Sequence, residues 1–144
     1  MSTCIKHTVK ALLLGLFCLT LIISLIACSG GIDTDEAKVF IEDFIAAVEA
    51  EDHEKAQEFM HPDRPADLEL FFIDVQSAEE IDFSSGIEIE DYKNFSYSYY
   101  NSEVKGSRFE VTIETIISDK PVEFVIELVK NDAGYGIYSF EINT

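Results

Sequence analysis

The sequence predicts an α+β domain in which N-terminal helices pack on one face of an antiparallel sheet. Between residues 37 and 75, apolar side chains recur every three or four positions, which is the spacing of amphipathic helices. From Ile87 onward they recur at every second position, which is the spacing of strands with one buried face. A third observation sets this domain apart from the start of the chain, because residues 11–27 form a nearly unbroken apolar run.

The apolar run Ala11–Ala27 has the charge asymmetry of an export signal. Lys6 and Lys10 precede it and no acidic residue occurs before Asp33, so the N-terminus is expected to stay on the cytoplasmic side. The run is near the lower limit of length for crossing a hydrocarbon core of ~30 Å. Its length alone therefore does not separate a cleaved signal from a permanent membrane anchor.

The end of the run, Leu25-Ile26-Ala27-Cys28, resembles the lipobox of bacterial lipoproteins. The resemblance implies cleavage between Ala27 and Cys28 and a diacylglycerol group, with acyl chains such as palmitate, on the Cys28 thiol. Two acyl chains hold a protein stably at a membrane, whereas one gives only reversible binding. We therefore expect a lipid-anchored protein that faces outward from the cell membrane. The alternative, an uncleaved signal anchor, would also leave the domain outside.

Cleavage of the signal, residues 1–27, leaves a short tether, residues 28–32, and one domain, residues 33–144. That length fits one hydrophobic core. Two of the three cysteines leave with the signal and Cys28 carries the lipid. No thiol is then left for a disulfide, a metal site or a nucleophile, and we expect neither a metal nor a cofactor.

The exported part of the chain is strongly acidic. It carries eight basic and 28 acidic side chains, which is a formal charge of −20. Such a surface repels nucleic acid and anionic lipid headgroups. We therefore expect no nucleic-acid partner and no peripheral membrane-binding face, so that the lipid on Cys28 is the expected link to the membrane.

Three helices are predicted in the first half of the domain. They cover about residues 33–50, 52–61 and 65–78. The first begins at Asp33 as N-cap, with Glu36 three residues later. The second ends before Pro62, because proline disfavours helix in the residue before it. The third has Pro65 in its first turn.

Four strands in a meander are predicted for the second half, beginning with a strand near residues 92–100. A turn at residues 118–121 and a five-residue loop at residues 131–135 set the register, because they bring apolar residues opposite one another. The first turn pairs Ile117 with Val122, Thr115 with Phe124, Ile113 with Ile126 and Val111 with Leu128. The second loop pairs Leu128 with Tyr138, Ile126 with Phe140 and Phe124 with Ile142.

This register defines an apolar inner face and an acidic outer face. The predicted inner face consists of Phe95, Tyr97, Tyr99, Phe109, Val111, Ile113, Thr115, Ile117, Val122, Phe124, Ile126, Leu128, Tyr138, Phe140 and Ile142. The outer face carries glutamates, and Ile116, Val125 and Val129 are expected to be exposed among them. Those three residues are the candidate surface for a homodimer or a protein partner.

The order of elements is similar to that of NTF2-like (cystatin-like α+β) domains, in particular small lipoproteins of that superfamily. The similarity covers the helix Ala37–Val48, the break Glu51-Asp52-His53, the helix Glu54–Met60 with its stop at Pro62, and the last strand Tyr135–Ile142. It implies that the curved sheet forms a cone under the helices. Catalytic members of the superfamily place an acid or a histidine inside this cone.

The predicted inner face contains no acid and no histidine, which argues against catalysis. Its polar groups are hydroxyls, and phenols with pKa values near 10 are poor bases at neutral pH. We therefore expect a non-catalytic module that binds a small molecule or a protein, with Tyr97, Tyr99 and Tyr138 as candidate pocket residues. A small isomerase- or hydrolase-type enzyme and a homodimeric spacer are the alternatives.

One loop offers a second candidate site. His61, Asp63, Arg64 and Asp67 can be read as a metal site or an acid–base pair. The more common reading is structural, because these residue types also favour turns and helix ends. His53, beside two acids, is expected to be a solvated residue in the first turn of the second helix.

Overall fold

The computed structural model describes residues 31–144, and the predicted signal and lipobox lie outside this range. The elements are helices α1 (Thr34–Glu49), α2 (His53–Gln57) and α3 (Leu68–Glu79), a short 3-10 turn (Phe83–Ser85), and strands β1 (Ile87–Asn101), β2 (Gly106–Ile117), β3 (Lys120–Asn131) and β4 (Gly134–Asn143). The strands form one antiparallel sheet in the order β1-β2-β3-β4. Helices packed on one face of this curved open sheet confirm the predicted α+β fold.

Helix α1 begins and packs as its sequence predicts. The Asp33 carboxylate accepts hydrogen bonds from the backbone amides of Asp35 and Glu36, at 3.0 and 3.1 Å. Acidic side chains in this first turn are further favoured by the helix dipole. The buried side of the helix is formed by Ala37, Ile41, Phe44, Ile45, Ala47 and Val48. None of the helices in residues 31–144 is long and apolar enough to span a membrane.

Helix α2 ends at Gln57, earlier than predicted. After it, the chain turns and runs beside β4 as an isolated parallel bridge between Met60 and Ile137. The Ile137 amide donates to the Phe59 carbonyl and the His61 amide donates to the Ile137 carbonyl, each at 2.8 Å. The apolar residues after Gln57, whose spacing predicted more helix, therefore lie in a turn and a bridge beside β4 instead.

The predicted start of α3 at Pro65 is wrong by three residues. The Asp67 carboxylate accepts a hydrogen bond from the Leu70 amide at 3.1 Å and so forms the N-cap. Helix α3 therefore begins at Leu68. An aspartate that caps the helix determines its start here, although proline is also common in a first helical turn.

The predicted register between β2 and β3 is wrong by two residues. Ser118 and Asp119 have φ angles of 52° and 60° and form a two-residue turn, so Ile117 lies opposite Lys120. Positive φ at both central positions is the geometry of the tight hairpin turns that match strand twist. A shift of two leaves every side chain on its predicted face, because the strand period is also two.

Between β3 and β4, the predicted pairs Ile126 with Phe140 and Phe124 with Ile142 are confirmed. A β-bulge follows Glu127, and beyond it Leu128 lies opposite Ile137. The predicted partner of Leu128, Tyr138, occupies the bulge instead. The hairpin accordingly closes with a shorter loop than predicted, residues 132–133.

Strand β1 starts earlier than predicted, at Ile87, and contains three irregularities in its pairing with β2. Two of them shift the alternation of side chains between Ile89 and Tyr97. As a result Tyr92 lies opposite Ile113, on the inner face, which a regular alternation did not predict. Bulges of this kind are frequent on edge strands.

Candidate functional site

The space between the helices and the inner face of the curved sheet is filled by the protein's own side chains. Val111, Ile113, Phe124 and Ile126, at the centre of the inner face, each have 0% exposure. Above them, Phe72 packs its ring 5.2 Å from that of Phe83 and 5.7 Å from that of Phe140. This part of the sheet and its helices therefore form a continuous core rather than an open cavity.

Within residues 31–144, four polar side chains are buried. They are His61, Ser107, Thr112 and Thr115. The Thr115 hydroxyl donates to the Val122 carbonyl at 2.8 Å, and the Ser107 hydroxyl donates to the Tyr99 carbonyl at 2.9 Å. Both bonds join neighbouring strands. No carboxylate belongs to this buried set in the described range.

Two tyrosines at the margin of the core have perturbed phenols. Burial raises the pKa of Tyr92, and its hydroxyl also donates a 2.7 Å hydrogen bond to the Glu42 carboxylate. Burial, together with the negative charge of Glu36, raises the pKa of Tyr135 to about 12. Both phenols therefore stay neutral at physiological pH and cannot act as bases there.

The Tyr135 hydroxyl is buried and lacks a hydrogen-bond partner. Its ring lies 4.8 Å from that of Phe40, beside a shallow cleft of about 500 Å³ next to α1. The sequence predicts Tyr135 at the junction of the β3–β4 loop and the last strand, and it does not predict this buried position. The apolar alternation does not include Tyr135, because the predicted loop covers residues 131–135. The observed loop is shorter, residues 132–133, so Tyr135 belongs to β4.

His61 is fully buried, at the point where the chain runs beside β4. Its Nδ1 accepts a hydrogen bond from the Asp63 amide at 3.1 Å, so in the neutral ring the proton lies on Nε2. The Asp63 carboxylate is 3.8 Å from the same Nδ1 and is half exposed. This hydrogen bond closes the turn around Pro62 and occupies Nδ1, whereas Nε2 is buried and has no hydrogen-bond partner within the described residues.

Tyr138 packs at this corner rather than in the core. Its ring lies 5.5 Å from the His61 ring, edge to face, and the Arg64 guanidinium lies 4.7 Å from its centroid. The neighbouring Gly136 permits the arrangement, because a Cβ there would come within 2.8 Å of the His61 backbone nitrogen. We call the side chains of His61, Arg64 and Tyr138 the β4 corner.

A surface cleft of about 380 Å³ opens beside the β4 corner. Its walls include Arg64, Leu68, Phe71, Tyr138 and Phe140. The cleft therefore combines apolar surface with a guanidinium in a domain that is otherwise strongly acidic. Such a combination suits an aromatic or anionic group of a ligand.

The three tyrosines predicted as pocket residues lie in two different surroundings. Tyr138 belongs to the β4 corner. Tyr97 and Tyr99 lie beside Gly31, where a Cβ would be 2.9 Å from the Tyr97 hydroxyl and 3.6 Å from the Tyr99 ring. They are also far more exposed than core residues, at 49% and 66%. A shared ligand pocket for all three stays a prediction.

The predicted loop site is divided among separate structural roles. Asp67 caps α3, Asp63 donates its amide to His61, and Arg64 covers Tyr138. In residues 31–144 no three histidine, cysteine or acidic side chains lie close enough to hold a metal ion. His53 is not simply solvated as predicted, because its ring stacks on that of Phe72 at 6.1 Å.

The outer face is acidic but partly neutralised. Arg108 forms ion pairs with Glu110 at 3.0 Å and Glu127 at 2.7 Å, and the Ser139 hydroxyl donates to Glu127 at 3.0 Å. Val129, predicted to be exposed on this face, has 0% exposure. It lies opposite Gly136, over which the His61 backbone passes. Ile116 and Val125, also predicted to be exposed on this face, are only partly exposed, so the predicted apolar partner surface is smaller than expected.

Comparison of the chain with protein-family models, curated proteins and solved structures gives no match. The resemblance to NTF2-like domains therefore stays a prediction from the sequence. The structure shows helices that precede a four-stranded antiparallel sheet and pack on one face of its curved surface.

Proposed function

We propose that this chain is a bacterial lipoprotein, anchored at the outer side of the cell membrane through Cys28, whose NTF2-like domain is a non-catalytic binding module. The observation that supports a non-catalytic module is that the space under the helices, the cone of the NTF2-like resemblance, is filled. Its central residues have 0% exposure, so a substrate has no access to the space where catalytic members of the superfamily place their acid or histidine. Ligands or partners are then bound on outer surfaces.

The start of the domain supports anchoring close to the membrane. Ile32, predicted to be part of a free tether, is only 7% exposed, and the Gly31 carbonyl accepts a 3.3 Å hydrogen bond from Lys130. The chain is therefore already held by the domain at Gly31. From Cys28 to Gly31 three residue steps span at most ~10 Å, so the domain stays next to the bilayer.

The cleft beside the β4 corner is the surface that we assign to a ligand. Phe71 and Phe140 supply apolar walls and Arg64 supplies a positive charge. A peptide segment with an aromatic or acidic side chain matches these properties. The alternative of a small isomerase- or hydrolase-type enzyme has less support, because the Asp67 carboxylate caps α3 and the Asp63 carboxylate accepts a hydrogen bond from the Asn131 side-chain amide.

Fatty-acid labelling tests the anchor. We expect Cys28→Ser to abolish incorporation of a fatty-acid probe and to leave the signal uncleaved, because the Cys28 thiol is the group that takes the diacylglycerol. Cys18→Ser is the matched control, since it makes the same chemical change inside the predicted signal and should be labelled like the parent. Equal labelling of Cys28→Ser and the parent would refute the lipoprotein assignment.

A further inference from the structure

Three exposed aromatic residues lie on one side of the last part of β1. Phe95, Tyr97 and Tyr99, which we call the aromatic patch, are 49%, 49% and 66% exposed. The Phe95 ring lies 6.1 Å from that of Phe109, and Tyr97 lies opposite Phe109 in the sheet, so the patch continues the inner face beyond the end of the helices. Exposed clusters of large apolar side chains commonly mark contact surfaces.

The aromatic patch lies where the chain enters the domain. The Tyr97 hydroxyl and the Tyr99 ring lie against Gly31, as the distances to a Cβ placed there show. Gly31 is three residues from Cys28. A fully extended chain of that length spans at most ~10 Å, which fixes the patch near any lipid carried by Cys28.

The charge around the aromatic patch differs from that of the whole domain. The Lys38 ammonium lies 5.3 Å from the centroid of the Phe95 ring, and the Lys130 ammonium binds the Gly31 carbonyl. The nearby Asp33 carboxylate is turned toward the amides of α1. The net charge of −20 therefore does not describe this part of the surface, where cations and aromatic rings adjoin.

We propose that Phe95, Tyr97 and Tyr99 form a membrane-contact surface that lies in the headgroup region beside the lipid of Cys28. Tyrosine suits this region, because its ring is apolar and its hydroxyl stays hydrated. The acyl chains supply the affinity and the patch fixes the orientation of the domain. The opposite end of the sheet, with the β2–β3 turn, then points away from the membrane. This inference rests on the proposed lipid anchor.

The absence of tryptophan from the sequence allows a direct test. The lipidated full chain with Tyr99→Trp is reconstituted in phosphatidylcholine vesicles that contain lipids brominated near the headgroup. We expect its emission to shift to the blue and to lose most of its intensity. Ile73→Trp, at a 51% exposed position in α3, is the control. It should keep its emission, because α3 runs toward the β2–β3 turn, where Lys120 binds the Glu79 carbonyl.

Two failures of this test have different meanings. Protein that does not float with the vesicles lacks the lipid anchor, and this would overturn the proposed lipoprotein as well. Protein that floats but shows equal quenching in both variants would overturn the membrane-contact surface alone. A blue-shifted but unquenched Tyr99→Trp emission would also overturn it, since the patch would then be covered by protein, such as a second copy of the chain.

Discussion

At the scale of single residues, burial follows the alternation of side chains along β2 and β3. Val111 and Ile113 are buried as predicted, and so are Phe124 and Ile126 on the neighbouring strand. At Tyr92 and Tyr138 a bulge interrupts the alternation, and Val129 is buried although the alternation places it on the outer face. The β4 corner was not predictable from spacing, because it joins His61 to a strand more than 70 residues later in the sequence.

Tyr135 gives a pH-dependent prediction at this scale. Its pKa rises from 10.0 to about 12 on folding, so the folded protein holds this proton more tightly than the unfolded chain. Its contribution to stability is complete below pH 10 and is lost as the pH rises from about 10 to about 12. We expect Tyr135→Phe to reduce this alkaline loss, measured by urea denaturation across that range.

At neutral pH the same substitution should leave stability unchanged or raise it, because it removes a buried hydroxyl that has no hydrogen-bond partner. Tyr100→Phe is the control, since Tyr100 is 67% exposed. An identical alkaline profile for Tyr135→Phe and the parent would contradict the assigned environment of the phenol.

At the scale of elements, the helices were easier to predict than the turns. Asp33 was predicted as the N-cap of α1, because such caps are local features of a sequence, whereas the Asp67 cap of α3 was not, because Pro65 offered an earlier start. The β2–β3 turn was harder to predict, because its two positions with positive φ angles are occupied by Ser118 and Asp119. Glycine or asparagine is the usual sequence signal for such a turn. The bulge at Tyr138 depends on the segment that runs beside β4, which no local pattern reveals.

The β2–β3 turn yields a prediction for this scale. Asp119→Gly should stabilise the domain by about 1 kcal/mol, because a left-handed conformation costs a residue with a side chain roughly that much. Asp132→Gly, in the β3–β4 turn, is the matched control and should be neutral or destabilising, because Asp132 has no positive φ to relieve. Thermal denaturation of both variants measures the difference. Stabilisation by Asp132→Gly alone would contradict the turn geometry.

At the scale of the whole molecule, stability comes from packing. The described range contains no cysteine, and its core joins α1, α3 and the inner face of the sheet through a continuous set of aliphatic and aromatic side chains. The fold class was predictable because the change of apolar period is a property of the entire chain. The location of the surface clefts was not predictable from the sequence, because it depends on how the loops pack against the edges of the strands.

A prediction about redox conditions follows from this composition. The domain from Ile32 onward, produced without the signal, should unfold cooperatively and with the same thermal midpoint in the presence and absence of reductant. Calorimetry under both conditions tests it. A midpoint that falls on addition of reductant would show a covalent stabilisation that the sequence does not provide for.

The filled space between the helices and the inner face of the sheet is the central claim, and the stabilities of Ile126→Asp and Val125→Asp test it most directly. Neighbours in β3 point to opposite faces, and Ile126 has 0% exposure whereas Val125 lies on the outer face opposite Thr112 and Glu141. An unpaired buried carboxylate costs several kcal/mol, comparable with the 5–15 kcal/mol that stabilises a typical domain. Chemical denaturation should therefore find Ile126→Asp largely unfolded and Val125→Asp destabilised by about 1 kcal/mol. Equal losses, or the reverse order, would contradict the filled space under the helices and, with it, the proposal of a non-catalytic module.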